Sequence, residues 1–508
     1  MRKFATGAAA ILAVSLVTAP AAEAAAKPKP KPDLAKLVTV NAMKRHLVNL
    51  KKISDYNGGN RKSGLAGYDI SVKYVVNELK KAGLKPKTQS VPFWVFKQNG
   101  PGAFEQVAPG KVAYKADSEY GTWEYSGAGD VTANVFPVDL GGDQGPAGHS
   151  GCEASDFAGM QKGDIALIRR GTCAFVDKVD LAVAAGASAV VIYQRQGPDV
   201  PVDTPAVFGL DKPAPVPVIG TTYKIGTELR APADAKTLKL RVKTDVTNTP
   251  KPVQNVIVES KWGNPNNVVV VGAHLDSVAE GPGINDNGTG SAAILTMAQN
   301  INKLGKKNLR NKVRFAWWAA EESGLVGARH YVETLTKAQK SKIALNLNFD
   351  MLGSPNFARF VYDGDDSMGS GTNPPAGSGA IEKTFVDYFK KRGLKSEPTA
   401  FDGRSDYGPF IEVGIPAGGL FSGAEVLKTA QQVTWYGGVA GQAFDPCYHA
   451  KCDNMKNIDW TGFDQFADAA AFATQKFAFS TLPVNGQARA ARAAAARSFD
   501  WQGGRQVR

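Results

Sequence analysis

Histidine and cysteine are scarce in this chain of 508 residues, which has five histidines and four cysteines. The pattern His-Glu-x-x-His, which places two zinc ligands on one helix face, occurs nowhere. No apolar run reaches the ~18–20 residues that a membrane-spanning helix needs. A pattern of interleaved aromatic and basic residues, typical of nucleic-acid grooves, is also missing. These absences exclude a single-zinc protease of that type and argue against a transmembrane segment and a nucleic-acid partner.

The amino terminus has the pattern of a secretory signal peptide. Arg2 and Lys3 precede an apolar stretch from Ala8 to Val17 and then small residues through Ala26. Because the apolar stretch is too short to span a bilayer, we predict a signal peptide at 1–26 and a secreted, extracellular protein.

The formal net charge of +13 is concentrated at the two ends of the chain. Residues 1–36 and 483–508 together supply 8 of these 13 charges, so the body is only mildly basic. A Lys/Pro linker is predicted at 27–37. The Ala/Arg-rich tail at 483–508 is predicted to be disordered, and a weak amphipathic helix touching the cell envelope is the alternative.

Acidic and imidazole side chains follow three apolar strands. Four consecutive valines at 268–271 are typical of a strand buried on both faces, and apolar runs at 313–320 and 343–349 repeat the arrangement. A single acid after a strand is more often a helix cap or a solvated charge. Three strand ends in register, with a histidine, favour a metal-binding crevice. The side chains concerned are His274, Asp276, Asp286, Glu321, Glu322 and Asp350.

Helical patterns at 290–304 and 325–338 separate these strands. Alternation of strand, helix and strand predicts an α/β fold with a mostly parallel central sheet flanked by helices. The candidate ligands therefore meet at the carboxyl edge of that sheet.

Histidine and carboxylate ligands without thiolate suit zinc, manganese or cobalt better than copper(I) or an iron–sulfur cluster. Zinc is the usual occupant when imidazole is present and hydrolysis is the task. A second histidine is needed, and His449 is the candidate because it lies in the acidic segment 445–453 between two cysteines. His46 and His149 lie far from the strand-end acids, and His330 is expected at the surface.

Five motifs together resemble the secreted double-zinc aminopeptidases of the bacterial leucyl-aminopeptidase type: GAHLDS, GINDNGTGSA, the pair Glu321-Glu322, NFDMLG and CYHAKCD. The resemblance covers roughly residues 38–90 and 255–480, and Asn60-Arg61 belongs to its opening segment. It implies a zinc-exopeptidase fold, two zinc ions per subunit, and removal of an apolar, leucine-like residue from peptides with a free amino terminus.

The resemblance also implies a ligand set. His274 pairs with Asp350 on one zinc, Glu322 pairs with His449 on the other, and Asp286 bridges both. No pattern in the chain supports calcium, and we expect a monomer.

Four further residues receive roles from the same resemblance. Glu321 matches the general base and Tyr448 the donor to the oxyanion. Asp276 would accept the second ring N–H of His274, and Arg404 would lie near the amino end of the substrate. Neighbours on an extended strand point to opposite sides, so the two adjacent glutamates need a local turn to share one site.

The sequence pattern changes between residues 125 and 245. The segments GDIALIRRGTCAF and AGASAVVIY resemble a protease-associated domain. We therefore predict a β-rich insert at 125–245 that influences access of substrate, within a catalytic domain formed by 38–124 and 246–482.

The four cysteines form two pairs that are local in sequence. In an exported protein, disulfides are the default expectation. We predict Cys152–Cys173 and Cys447–Cys452, the second of which would fix the loop that carries Tyr448 and His449.

Three accounts of function remain open at this point. The first is a secreted zinc aminopeptidase, and the second is a carboxyl-end exopeptidase or cyclase on the same scaffold. The third is a non-catalytic binding module. The complete set of presumed ligands argues against the third, and the CYHAKCD loop favours the first over the second.

Overall fold

The computed structural model describes Met1 and residues 32–139, 148–196 and 203–486. The predicted signal peptide beyond Met1, residues 27–31 of the predicted linker, and residues 487–508 of the tail lie outside the described residues. Among the described residues no helix combines the length and the apolar character that crossing a membrane requires.

The α-helices are distributed along the whole described chain. The α-helices are α1 Val40–Asp55, α2 Ala66–Lys81, α3 Phe175–Ala184, α4 Tyr223–Asp234, α5 Gly290–Ile301, α6 Val326–Thr334, α7 Lys337–Lys340, α8 Ser378–Lys391, α9 Gly408–Glu412, α10 Ala430–Tyr436, α11 Trp460–Phe479 and α12 Leu482–Asn485.

The strands form two large sheets and one small one. They are β1 Lys87–Val91, β2 Trp94–Gln98, β3 Ala103–Ala108, β4 Val112–Ala113, β5 Tyr120–Thr122, β6 Gly129–Pro137, β7 Ile165–Arg169, β8 Ala189–Tyr193, β9 Val218–Thr221, β10 Lys239–Thr244, β11 Val246–Pro250, β12 Val253–Glu259, β13 Asn264–His274, β14 Asn311–Trp318, β15 Ile343–Phe349, β16 Phe360–Tyr362, β17 Glu397–Thr399 and β18 Ala417–Phe421.

The first sheet has the strand order β1-β12-β14-β13-β15-β18-β16-β17. Its centre is parallel, because β14, β13, β15 and β18 all run the same way. Antiparallel pairs join β1 to β12, β12 to β14 and β16 to β18. The predicted α/β architecture with a mostly parallel central sheet is confirmed.

The valine run lies at the middle of this sheet. Val269 and Val271 belong to the large core formed with residues of α1, α2, α5 and α11. Val268 and Val270 pack in a separate cluster on the opposite face, with residues of α6 and with Phe410 of α9. Since side chains alternate along a strand, four consecutive apolar residues are what a sheet covered on both faces requires.

The helical pattern predicted at 325–338 is two helices rather than one. Leu335 has an extended backbone (ψ 131°), which ends α6. The hydroxyl of Thr336 then accepts from the backbone N–H of Gln339, and the side chain of Gln339 caps the Thr336 N–H in return. This capping box starts α7, so the apolar periodicity alone overestimated the length of the helix.

The second sheet has the order β4-β3-β10-β6-β7-β8-β9-β5 and is parallel from β6 to β9. Three of its strands, β3, β4 and β5, precede residue 125, and α3 and α4 pack with it. Cys152 and Cys173 form a disulfide within this region, as predicted. The predicted bounds of the insert, 125 and 245, stay a prediction.

Candidate metal centre

Three adjacent strands deliver the predicted ligands to one edge of the first sheet. His274 is the last residue of β13, Asp350 follows the end of β15, and Glu321 and Glu322 come shortly after β14. Because β14, β13 and β15 are parallel neighbours, their carboxyl ends lie side by side. The structure therefore brings these four side chains together as the sequence analysis predicted.

A turn directs both glutamates to the same side. Ala320 has a positive φ of 51°, which reverses the chain at the end of β14. The carbonyl of Glu321 then accepts from the N–H groups of Gly324 and Leu325, both at 2.9 Å. As a result, a Glu321 oxygen lies 3.9 Å from His274 Nε2 and a Glu322 oxygen lies 3.0 Å from His449 Nε2.

Asp286 lies between the two histidines. Its Oδ1 is 3.1 Å from His274 Nε2 and its Oδ2 is 3.3 Å from His449 Nε2. Each histidine also faces a carboxylate of its own, Asp350 at 3.2 Å from His274 and Glu322 at 3.0 Å from His449. Three overlapping groups of three potential ligands result. Asp286 belongs to two of them, with His274 and Asp350 and with Glu322 and His449, and the third joins His274, Glu321 and Glu322.

The backbone around Asp286 is irregular. Asp286 and Asn287 have non-helical torsion angles just before α5, and the peptide bond between them is cis. The Asn287 side chain reaches the strand that carries Asp350, since its amide donates to the Phe349 carbonyl at 2.9 Å. Asp286 lies twelve positions after His274, and the chain between them thus folds back toward the neighbouring strand β15.

The electrostatics of the site reflect crowded, buried carboxylates. Burial raises the pKa of Glu321 and of Glu322. Burial also opposes ionisation of Asp286, but hydrogen bonds from His274 and His449 lower its pKa below the ordinary value. Burial disfavours the charged form of His449, and hydrogen bonds to Asp286 and Glu322 outweigh it and raise the pKa of His449 to about 11.

These shifts describe a site that attracts positive charge. The four carboxylate side chains are between 5% and 11% exposed, so water does little to screen their repulsion. Imidazole nitrogen and carboxylate oxygen, without thiolate, are a donor set that zinc accepts. The described residues therefore fit divalent metal ions.

The loop that carries His449 is closed by the Cys447–Cys452 disulfide, as predicted. His449 has a positive φ of 54°, and the Tyr448 ring stacks on its imidazole with centroids 3.9 Å apart. The Tyr448 hydroxyl accepts from the Arg404 guanidinium at 3.3 Å. Arg404 also pairs with Glu425 at 2.7 Å.

Asp276 contacts both His274 and the turn that carries Glu321. One of its oxygens is 3.6 Å from His274 Nδ1 and accepts from the Glu321 backbone N–H at 3.2 Å. This carboxylate is fully buried. Its contacts link His274, at the end of β13, to the turn after β14.

A cleft opens over the candidate metal-binding side chains. Its walls combine polar groups with apolar side chains, and the lining residues other than the metal-binding set include Met351, Tyr362, Phe421, Ala424, Thr399, Asp402, Arg404 and Tyr448. The predicted substrate-side residues Arg404 and Tyr448 thus share one cleft with Glu321 and the ligands.

Sequence reasoning missed several residues that support the centre. The Asp453 carboxylate accepts from the backbone N–H groups of Asn285 and Asp286. The Ser405 hydroxyl donates to Asp350 at 2.5 Å. The only signal for Asp453 was its position in the motif CYHAKCD, and nothing in the sequence pairs Ser405 with Asp350.

Comparison with known proteins agrees with this geometry. A model of "Peptidase family M28" matches residues 255–474, and a model of "PA domain" matches residues 131–229. An aminopeptidase of Pseudomonas aeruginosa is 47% identical over 464 residues, which is 91% of this chain and 85% of that protein. The leucine aminopeptidase 2 of Trichophyton tonsurans is 38% identical, over 88% of this chain and 87% of its own.

One relative and two solved structures add to this picture. A probable lipoprotein aminopeptidase of Mycobacterium tuberculosis is 40% identical over 88% of this chain and 87% of its own. An aminopeptidase from Aneurinibacillus sp. strain AM-1 superposes with a TM-score of 0.65 at 24% identity, covering 87% of this chain and 94% of that one. A zinc aminopeptidase from Bacillus subtilis superposes with a TM-score of 0.55 at 24% identity, covering 86% and 94%. Both structures support the fold.

An open α/β sheet with paired histidines and carboxylates at the carboxyl ends of its strands is the arrangement of a metal-dependent exopeptidase. The chain belongs to peptidase family M28 and carries a PA domain, and it is a metallo-aminopeptidase of the leucyl-aminopeptidase type. The family resemblance predicted from the five motifs is confirmed, and the non-catalytic alternative is wrong.

Proposed function

We propose that the protein is a secreted double-zinc aminopeptidase that removes apolar, leucine-like residues from the amino terminus of peptides. One observation carries the proposal. The two oxygens of Asp286 face two different histidines, at 3.1 and 3.3 Å, and each histidine has a second carboxylate beside it. One ion between His274 and Asp350 and another between Glu322 and His449 would share Asp286 as a bridge.

Two zinc ions, when bound, supply a Lewis acid for the scissile carbonyl and lower the pKa of a bound water. Glu321 is the general base in this proposal. Its carboxylate lines the cleft at 3.9 Å from His274 Nε2 and belongs to neither of the two ligand groups that contain Asp286. It takes a proton from the attacking water and delivers that proton to the leaving amine.

Tyr448 is proposed to donate its hydroxyl proton to the oxygen that becomes negative in the transition state. Stacking of the Tyr448 ring on His449 holds the phenol beside the proposed metal site, and the Arg404 guanidinium donates to the phenol oxygen. A donor that is already oriented toward the developing charge contributes most to the rate. Arg404 is proposed to orient the phenol as well as to border the amino end of the substrate.

The free amino group of the substrate needs an anionic partner. Glu321 and Asp350 are the proposed partners, because both are carboxylates that line the cleft. Met351, Tyr362, Phe421 and Ala424 supply apolar wall around them. An uncharged, leucine-like side chain would bury its surface against these residues.

Secretion is supported by the two disulfides, since such bonds persist in oxidising compartments. The probable lipoprotein aminopeptidase among the relatives raises the alternative of a membrane-anchored location for this chain. We propose a monomer in which the insert influences entry of substrate to the cleft.

The test is an assay of the purified mature protein on leucyl-, lysyl- and amino-blocked leucyl-p-nitroanilide, with and without a chelator, together with zinc content by mass spectrometry. We expect hydrolysis of the leucyl substrate only when its amine is free, loss of that activity on chelation, and two zinc ions per chain. Preference for the lysyl substrate would overturn the apolar specificity. One zinc per active chain would overturn the bridged pair.

A further inference from the structure

The segment Asn60-Arg61-Lys62-Ser63 lies between α1 and α2 and contacts the loop 275–283 and the turn at Ala320. Nothing in the proposed chemistry uses this segment. Arg61 is its central residue and is 0% exposed. A fully buried guanidinium is costly unless its donors and its charge are satisfied, so the partners of Arg61 reveal its role.

The partners of Arg61 are backbone carbonyls of one loop. Its Nε donates to Pro282 at 3.0 Å, one terminal nitrogen donates to Gly283 at 2.5 Å, and the other donates to Leu275. The backbone N–H of Arg61 donates to the Ser277 hydroxyl at 2.9 Å. The side chain therefore ties the first residue of the loop 275–283 to its last two.

This loop makes up most of the chain between His274 and Asp286. A guanidinium is planar and presents its donors in a fixed fork, so three carbonyls that bind it are held at fixed separations. The space is fully used at Gly283, where an added Cβ would lie 3.1 Å from an Arg61 nitrogen. Burial lowers the pKa of Arg61, and the nearby carboxylates Asp276, Asp453 and Asp286 oppose this shift.

The two residues that flank Arg61 and Lys62 extend these contacts. The Asn60 amide donates to the Ala279 carbonyl in the middle of the same loop, at 3.1 Å. The Ser63 hydroxyl accepts from the backbone N–H of Ala320 at 2.8 Å. Ala320 has a positive φ and begins the turn that carries Glu321. The segment 60–63 therefore contacts both the loop that precedes Asp286 and the turn that carries Glu321.

We propose that residues 60–63 are a positioning segment for the metal centre, in which Arg61 sets the separation of His274 from Asp286 and Ser63 sets the position of Glu321. The inference rests on the proposed function, since it concerns the placement of those residues as ligands and base. These are positioning residues, because they act through the loops and touch neither substrate nor metal.

The test compares Arg61→Lys, which keeps the charge and loses the fork, with Lys62→Met as a matched control. Lys62 is in the same segment, but its ammonium pairs with Glu124 at 3.4 Å and with neither ligand loop. Zinc affinity is measured by competition with a chelator, and the melting temperature is measured on the metal-free proteins. We expect Arg61→Lys to weaken zinc binding about 10- to 100-fold, as for other residues that orient ligands, and Lys62→Met to match the wild type.

Zinc affinity separates positioning from a merely structural role. A lower melting temperature of metal-free Arg61→Lys with zinc affinity within threefold of the wild type would overturn the role of Arg61. If Arg61→Lys does not fold, Ser63→Ala decides the proposal alone. For that variant we expect kcat to fall at least tenfold with KM within twofold, and an unchanged kcat would overturn the inference. Wild-type protein that holds fewer than two zinc ions would contradict the proposed function instead, because the variants are compared only with the wild type.

Discussion

Asp453 accepts hydrogen bonds from two successive backbone N–H groups, those of Asn285 at 2.8 Å and of Asp286 at 3.0 Å. The residue that lies between the two histidines is thus held through its backbone by a carboxylate from the loop of His449. Asp453 is nearly fully buried, and this burial raises its pKa to about 8. The contact joins Asp286, in the middle of the candidate metal centre, to the segment of His449, which comes last in the sequence.

Removal of the Asp286 carboxylate should abolish the paired site. We expect Asp286→Ala to hold at most one zinc ion per chain, because both ligand groups that contain Asp286 lose a member. Mass spectrometry of the native protein measures the stoichiometry. Asp453→Ala keeps the carboxylate and loosens its backbone, so a milder loss of affinity, about 10- to 100-fold, is expected there. Two tightly held zinc ions in Asp286→Ala would rule out the bridge.

Substitution of the proposed base should separate metal binding from turnover. Glu321→Gln keeps the size and the backbone turn, so we expect two zinc ions and loss of nearly all turnover. The matched variant is Glu322→Gln, which removes a carboxylate from the ligand group of His449 and should lower zinc affinity. Activity of Glu321→Gln within about tenfold of the wild type would mean that another group moves the proton.

Loss of the Tyr448 hydroxyl should affect the chemical step more than binding. We expect Tyr448→Phe to lower kcat about 10²–10³-fold with little change in KM, because one donor to the oxyanion is lost. The ring that stacks on His449 is retained, so the zinc content should stay that of the wild type. Steady-state kinetics and metal analysis on the same preparation check both points. A change confined to KM would assign the phenol to substrate binding.

A pH dependence of stability should arise at His46, which is not among the proposed metal ligands. Burial, with a smaller contribution from the Arg45 charge, lowers the pKa of His46 to about 4. Between pH 4 and 6.5 the unfolded chain binds the proton and the native one does not, so the free energy of unfolding falls as the pH is lowered through this range.

Urea unfolding of the metal-free protein at pH 7.5 and pH 5 checks this expectation. The loss on acidification should be about 2 kcal/mol smaller in His46→Gln than in the wild type, by the linkage of one such pKa shift. The comparison of two proteins cancels the titration of all other groups. Equal losses in both would show that His46 is protonated in the native state at pH 5.

The convergence of the candidate ligands could be predicted from sequence because most of these residues stand at the ends of strands that are recognisable by themselves. The valine run and the apolar segments before Glu321 and Asp350 have the composition of buried parallel strands, and such strands end at one edge. The resemblance in the CYHAKCD loop supplied His449. The inferences about the strand-end residues needed only local composition and one rule of topology.

The supporting contacts could not be predicted in the same way. Arg61 satisfies its guanidinium with backbone carbonyls more than 210 residues away in sequence, and carbonyls carry no residue-specific signal. Thr336 could have indicated the break after α6, because Gln339 follows it at the spacing of a capping box. The turn at Ala320 was expected only because two neighbouring glutamates had to share a site.

The proposed ligands are spread from residue 274 to residue 449, and each group of three draws on distant parts of the chain. A partly folded chain cannot gather them, since His274 meets Asp350 only when β13 and β15 are paired. The capacity to bind zinc is therefore a measure of completed folding, in addition to being a requirement for activity. Molecules that bind no zinc when it is supplied in excess would be misassembled, and added zinc would stabilise only the native form.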